Sequence, residues 1–223
     1  MNIFFISRLF YKFGIKIPEG LLKEKIVGWC GNKSNERIIE YPLMLANLPL
    51  KKSRILDVGC RYNTLSIQMA SLGHRVYGID LFPYYQKHPN FLFRRGDILN
   101  PPFKKSFFDV VTAVSTVEHI GCHYYGDKKD EKGDIKAVES IYKLIKPGGC
   151  FMLTLPLGKA ADAGWYRVYD IKRVKKILSK FRHVELSTFV LKEKYWQGVK
   201  VKEAEDQDSS QKVRAVVFAK AWR

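Results

Sequence analysis

The amino-acid sequence predicts a doubly wound α/β fold, and three observations carry that prediction. From residue 54 onward, short apolar runs alternate with amphipathic stretches, as strands alternate with crossover helices. The run FFDVVTAV is apolar almost throughout, as a strand covered on both faces should be. The segment RILDVGCRYNTL passes from an apolar run through an acid and a glycine into a turn, and then onto an amphipathic stretch. That is the shape of a ligand-binding loop at the end of a first strand. The chain has 223 residues, enough for one sizeable domain with a full core, and 46% of them are apolar.

The elements follow in order. Residues 1–50 read as an N-terminal helical extension. Ile3, Ile6, Phe10, Phe13 and Ile17 recur at spacings of three and four, and a second helix is expected over Glu36–Leu48. Residues 51–223 form the α/β domain. RILDV is the first strand. TLSIQMASLG is a helix, with Asn63 or Thr64 to cap it and Gly73 to end it. RVYGID and FLFRR are the second and third strands, and the link from Asp80 to Phe91 is too short for a full crossover helix. FFDVVTAV is the fourth. DIKAVESIYKLIKPGG is a helix stopped by Pro-Gly-Gly, and CFMLTLP is the fifth strand. DIKRVKKILSKF is a helix opened by Asp170 as N-cap. HVELSTFVLKEK and VRAVVFAKAW close the sheet. No helix separates them, so the last of the seven strands is expected to be antiparallel.

In an open α/β sheet the ligand lies beyond the carboxyl ends of the strands. Four strand ends carry suggestive residues: Asp57-Val-Gly59, Asp80, Gly96-Asp97-Ile98, and Ser115-Thr-Val-Glu118-His119. Asp80 lies 21 residues after Gly59. An acid at that spacing can accept hydrogen bonds from a ribose diol. A dinucleotide would require G-x-G-x-x-G so that the backbone can approach a pyrophosphate. From Gly59 the chain reads G-C-R-Y-N-T, so a nicotinamide enzyme is not expected.

These motifs, in this order, resemble the class I S-adenosylmethionine-dependent methyltransferases. ILDVGC is similar to that family's first motif, VYGIDL to its second, GDILNPPFKKSFFDVV to the stretch before its fourth strand, and KPGGCFMLTLP to the turn into its fifth. The resemblance implies a seven-stranded Rossmann-like sheet and S-adenosyl-L-methionine as cofactor. It places the cofactor against Asp57, Gly59, Cys60, Arg61, Asp80, Leu81, Gly96, Asp97, Ile98 and Ser115. Asp80 would hold both ribose hydroxyls and Asp97 the adenine amine. The cofactor carries no phosphate, so one close backbone approach at Gly59 suffices. Arg61 pairs with the methionine carboxylate, pairs with a neighbouring acid or is simply exposed. VSTVEHIGCHYYGD would face the transferred methyl, with Glu118 and His119 as candidate catalytic bases. His119 has a second reading, as a packed or cofactor-stacking residue.

Three further segments carry resemblances. Asn100-Pro-Pro-Phe103 matches the NPPF motif of amino-methyltransferases, but here it precedes the fourth strand instead of following it. It is expected to shape the turn that places Asp97. The segment before Cys122 and His123 is similar to the E-x-x-E-H metal motif of small-RNA 2′-O-methyltransferases, with Ser115 in place of the first Glu, and no metal is expected. EHIGCHYYGDKKDEKGD and WYRVYD also resemble a methyltransferase-like group associated with glycan biosynthesis. That resemblance implies a sugar, lipid-linked glycan or other small molecule as methyl acceptor.

Composition bounds the partners. The formal net charge is +17, which favours anionic partners, RNA among them, or else reflects a lysine-rich solvated surface. The four cysteines are dispersed without a CxxC pair and read as reduced thiols of a cytoplasmic protein. Arg8 and Lys12 interrupt the N-terminal apolar run, which is too short for a signal peptide or a membrane span. Residues 1–17 are expected to form a lid over the cleft, with peripheral membrane contact as the other possibility. A non-catalytic module that keeps the fold is the remaining rival.

Overall fold

The computed structural model describes residues 35–193 and 195–223; the expected helix over residues 1–17 lies outside them. The α/β unit spans Glu36–Lys192 and Trp196–Arg223. Helix α1 (Arg37–Ala46) leads into β1 (Arg54–Val58), α2 (Leu65–Ser71), β2 (Arg75–Asp80), β3 (Phe91–Arg95) and β4 (Phe108–Val114). A 3₁₀ turn (Val117–His119), α3 (Gly133–Leu144), β5 (Ile145–Leu157) and the short β6 (Ala161–Asp162) and β7 (Arg167–Val168) follow. The chain closes with α4 (Ile171–Ile177), β8 (His183–Lys192), β9 (Tyr195–Val199), α5 (Val201–Glu205) and β10 (Ala215–Trp222).

The main sheet has the order β3-β2-β1-β4-β5-β10-β8-β9. β1 to β5 run parallel to one another, and β10 runs antiparallel to both β5 and β8. Alternation along the strands splits the apolar side chains between two faces. Ile55, Val76, Val110 and Met152 pack with Leu65 and Met69 of α2 and Met44 of α1. Leu56, Val58, Val111 and Leu153 pack with Ala137, Val138 and Ile141 of α3 and Val174 and Ile177 of α4. Both faces are therefore covered, which is why the central strands read as unbroken apolar runs.

The helix boundaries have local causes. Asp170 caps α4, its carboxylate accepting the Arg173 N–H at 2.6 Å. The Asn63 side chain accepts the Leu65 N–H at 3.1 Å at the start of α2. No crossover helix joins β2 to β3. Instead Tyr84 is buried in that link, its hydroxyl donating to the Asn63 carbonyl and its ring lying 5.1 Å from Phe91.

Four features differ from the sequence expectation. A short helix, α5, does separate β8 from β10, although β10 is antiparallel as expected. The sheet has eight strands among the described residues, not seven, because YWQGV adds β9 beyond β8. Its residues are exposed or half-buried, so the apolar pattern that announces a central strand is missing. Pro147-Gly148-Gly149 does not separate α3 from a later strand; β5 already begins at Ile145 and carries these residues as an irregularity. The register against β4 shifts there, and a Cβ on Gly149 would meet the Asp109 carbonyl oxygen at 2.7 Å. WYRVYD, assigned to no element from the sequence, supplies β7 of a small β6–β7 hairpin.

Candidate active site

A cleft of about 270 Å³ opens at the carboxyl ends of β1, β2 and β4. Of the residues selected from sequence, Gly59, Asp80, Leu81, Gly96, Asp97, Ile98, Ser115, Glu118 and His119 line it; Asp57, Cys60 and Arg61 do not.

Gly59 follows β1 with φ of +73°, and a Cβ there would lie 2.4 Å from the Thr116 side chain. The Thr116 hydroxyl is in turn fixed between the carbonyls of Val114 (2.9 Å) and Val58 (3.2 Å). The turns after β1 and β4 thus lock together across a position only glycine fills. Asp80 closes β2. Its Oδ2 accepts the Arg61 N–H and its Oδ1 the Phe82 N–H, both at 3.0 Å. These bonds fix the carboxylate plane while leaving lone pairs for a donor in the cleft. Asp97 is exposed and accepts the Leu99 N–H at 2.8 Å.

The three residues outside the lining hold the loop. Asp57 is fully buried and accepts hydrogen bonds from Ser66 (2.5 Å) and Thr112 (3.0 Å). Burial pushes its carboxyl up to about 6, against those hydrogen bonds. The Cys60 thiol is buried against Gly78, where a Cβ would meet its sulfur at 2.7 Å. The Arg61 guanidinium lies between the rings of Tyr62 (4.6 Å) and Phe82 (4.5 Å), a cation–π sandwich.

Asp57 makes stability depend on pH. An aspartate ionises near 3.8 in the unfolded chain and near 6 in the fold, so the folded state holds its proton longer. Its contribution therefore falls as pH rises from about 4 to 6 and stays about 3 kcal/mol unfavourable above that window. Asp57→Asn is expected to gain stability relative to the native chain between pH 4 and pH 7, measured by denaturant unfolding at both values. An unchanged difference would remove the cause.

At the far wall, Glu118 is buried, and its Oε2 has no hydrogen-bond partner among the described residues. Burial drives its carboxyl well above the usual range. His119 Nδ1 sits 2.7 Å from the Trp165 carbonyl oxygen. A carbonyl can only accept, so Nδ1 carries the proton and Nε2 keeps its lone pair. Nε2 lies 3.9 Å from Glu118 Oε1. Burial also lowers the His119 pKa, which holds the ring neutral. The ring stacks on Trp165 at 5.1 Å and meets Tyr125 edge-on at 5.5 Å.

Sequence reasoning missed several of these supports. Glu36 and Arg37 also line the cleft, which brings α1 into it. Buried Glu40 of α1 accepts hydrogen bonds from Ser115 and Arg37, both at 2.6 Å. Arg167 of β7 reaches back to the carbonyls of Ile120 (2.7 Å) and Asp130 (2.9 Å), clamping the segment that follows Glu118. Spacing cannot reveal contacts between residues 40 and 115, or 120 and 167. Only a charged side chain inside an otherwise apolar stretch hints at them.

Asn100 is exposed and outside the cleft, while Phe103 packs edge-on against Tyr77 and Phe108. The NPPF segment is thus a turn anchored by its phenylalanine. Asn100→Ala is expected to leave turnover within about twofold, since surface changes of this kind cost within about 0.5 kcal/mol. A collapse of kcat with cofactor affinity preserved would restore an amino-methyltransferase role to Asn100.

The parallel sheet, its antiparallel β10 and the cleft at the β1–β2–β4 ends define the Rossmann-like fold of class I S-adenosylmethionine-dependent methyltransferases. A model of the family described as Caenorhabditis protein of unknown function, DUF268, matches residues 102–221, and the chain belongs to that family.

Solved structures share the fold. The 1,6-didemethyltoxoflavin-N1-methyltransferase of Burkholderia thailandensis is 14% identical, with a TM-score of 0.58 over 100% of this chain and 90% of that one. The N-methyltransferase NodS of Bradyrhizobium japonicum is 16% identical, with a TM-score of 0.57 over 87% of this chain and 90% of that one. An S-adenosyl-L-methionine-dependent Diels-Alderase from Talaromyces variabilis is 25% identical over 137 residues, 59% of this chain. The chain spans 40% of that curated relative's length. Among the described residues, no helix is long and apolar enough to cross a membrane.

Proposed function

We propose that the chain is an S-adenosylmethionine-dependent methyltransferase acting on a small-molecule acceptor, a sugar or lipid-linked glycan being the class we favour. The observation that carries this reading is the convergence of Asp80, a fixed hydrogen-bond acceptor, and His119, a neutral base, on one cleft. The residues fit the cofactor. Asp80 keeps lone pairs for a diol, Gly59 brings the backbone close, and Gly96 to Ile98 border the space where an adenine would lie. Bound there, the cofactor supplies an electrophilic methyl on a sulfonium. The chain's own work is positioning and excluding water, and His119 Nε2 accepts the proton of an acceptor hydroxyl. Trp165 and Tyr125 offer aromatic faces on which a sugar ring can stack.

The test is transfer of labelled methyl from cofactor into RNA, protein, lipid and polysaccharide pools, with S-adenosylhomocysteine release measured alongside. Label in a small-molecule, lipid or polysaccharide pool, lost in His119→Ala, supports the reading. The Diels-Alderase relative makes the second readout necessary, because turnover without release of S-adenosylhomocysteine would mean cofactor-dependent chemistry other than transfer. The net charge of +17 favours one alternative, an RNA acceptor. Label confined to RNA, with affinity falling steeply with salt, would establish it.

A further inference from the structure

We propose that the opposite end of the sheet carries a second binding site, for a compact oligophosphate group. A concavity of about 860 Å³ lies where β1 and β2 begin, bordered by the loop before β1, the Pro147–Gly149 turn and the end of β10. Among the described residues six cationic side chains line it, Lys51, Lys52, Arg54, Arg75, Lys146 and Lys220, against one acid, Asp109. That acid is already committed: it pairs with Lys146 and accepts the Arg54 N–H at 2.7 Å. The other five cations have no carboxylate at ion-pair distance among the described residues.

Neutral neighbours hold several of these cations in place. The Arg54 guanidinium lies 4.8 Å over the Phe107 ring, and that of Arg75 lies 5.9 Å over Tyr77. Lys220 Nζ sits 5.2 Å over Trp222 and donates to the Asn47 carbonyl at 3.3 Å. Lys52 runs across Gly73, where its Cε would stand 3.3 Å from a Cβ. These contacts leave every charge in place, so like charges repel inside one hollow until an anion enters. The hollow is open to solvent and has the volume of a small-ligand site, which favours a compact polyanion over a bilayer or a nucleic-acid strand. A chain of two or three phosphates offers that charge in that space, whether from a free nucleotide or from a lipid diphosphate headgroup. The site uses the ends of β1 and β2 away from the cleft, so it stands or falls independently of methyl transfer.

The experiment is calorimetric titration of inorganic tripolyphosphate into the full chain at low salt. One-to-one binding is expected, weakened at least about tenfold by Lys52→Glu and by Arg75→Glu, each of which removes and reverses one charge-assisted contact. Lys128→Glu and Lys129→Glu, exposed and outside the hollow, should leave it unchanged. Melting temperatures close to native confirm that the variants fold. Competition by adenosine triphosphate, or by phosphatidylcholine vesicles carrying polyprenyl diphosphate but not by plain ones, identifies the source of the phosphates. Absence of tripolyphosphate binding, or equal weakening by the Lys128 and Lys129 controls, would overturn the proposal. So would tight binding of a single-stranded RNA that tripolyphosphate does not displace.

Discussion

Gly59→Ala is expected to destabilise the fold by roughly 3 kcal/mol and to abolish measurable cofactor binding. Two costs add. An L residue held at φ of +73° costs about 1–2 kcal/mol. The new methyl would also stand 2.4 Å from Thr116, forcing that side chain off its bonds to Val58 and Val114. Displacing this half-buried hydroxyl from such partners costs about 1–1.5 kcal/mol more. Adding Thr116→Gly removes the steric part and leaves the backbone part, so the double variant should recover some stability but not all. Denaturant unfolding of Gly59→Ala, Thr116→Gly and the double variant measures both shares. A single variant within about 0.5 kcal/mol of native would mean that the turn relaxes freely.

Asp80→Ala is expected to weaken S-adenosylmethionine binding by about 2–3 kcal/mol, roughly 30- to 150-fold, because two hydrogen bonds to a charged acceptor are lost. The same carboxylate also holds the Arg61 and Phe82 N–H groups, so part of any loss could arise from the loop. Adenosine and 2′,3′-dideoxyadenosine separate the two. A ribose role weakens adenosine in the variant and spares the dideoxy analogue. A loop role weakens both alike.

Much of this arrangement was legible in the sequence because it rests on period and punctuation. β1, β2, β4 and the CFMLTLP part of β5 are largely apolar runs, the first two ended by Asp57-Val-Gly59 and Asp80, and Asp170 caps the helix it was expected to open. The cleft residues were legible for the same reason, since strand ends in a parallel sheet all face one edge. What could not be read are the long-range contacts and the weak edges. β9 carries too little apolar pattern to announce itself, and Pro147-Gly148-Gly149 signals a stop where the fold makes an irregular strand. The Arg61 guanidinium lies between Tyr62 and Phe82, a neighbourhood visible only once β2 has brought residue 82 beside residue 61. The Glu40–Ser115 bond joins helix α1 to the end of β4 across 75 residues, beyond the reach of any local pattern.

The most direct measurement of the central claim is a crystal structure of the chain with S-adenosylhomocysteine. The ribose hydroxyls should lie on the Asp80 carboxylate, the adenine beside Asp97 and Ile98, and the sulfur toward the wall formed by Ser115, Glu118 and His119. A nucleoside bound elsewhere, or one whose sulfur points away from His119, would contradict the assignment of this cleft as the site of methyl transfer.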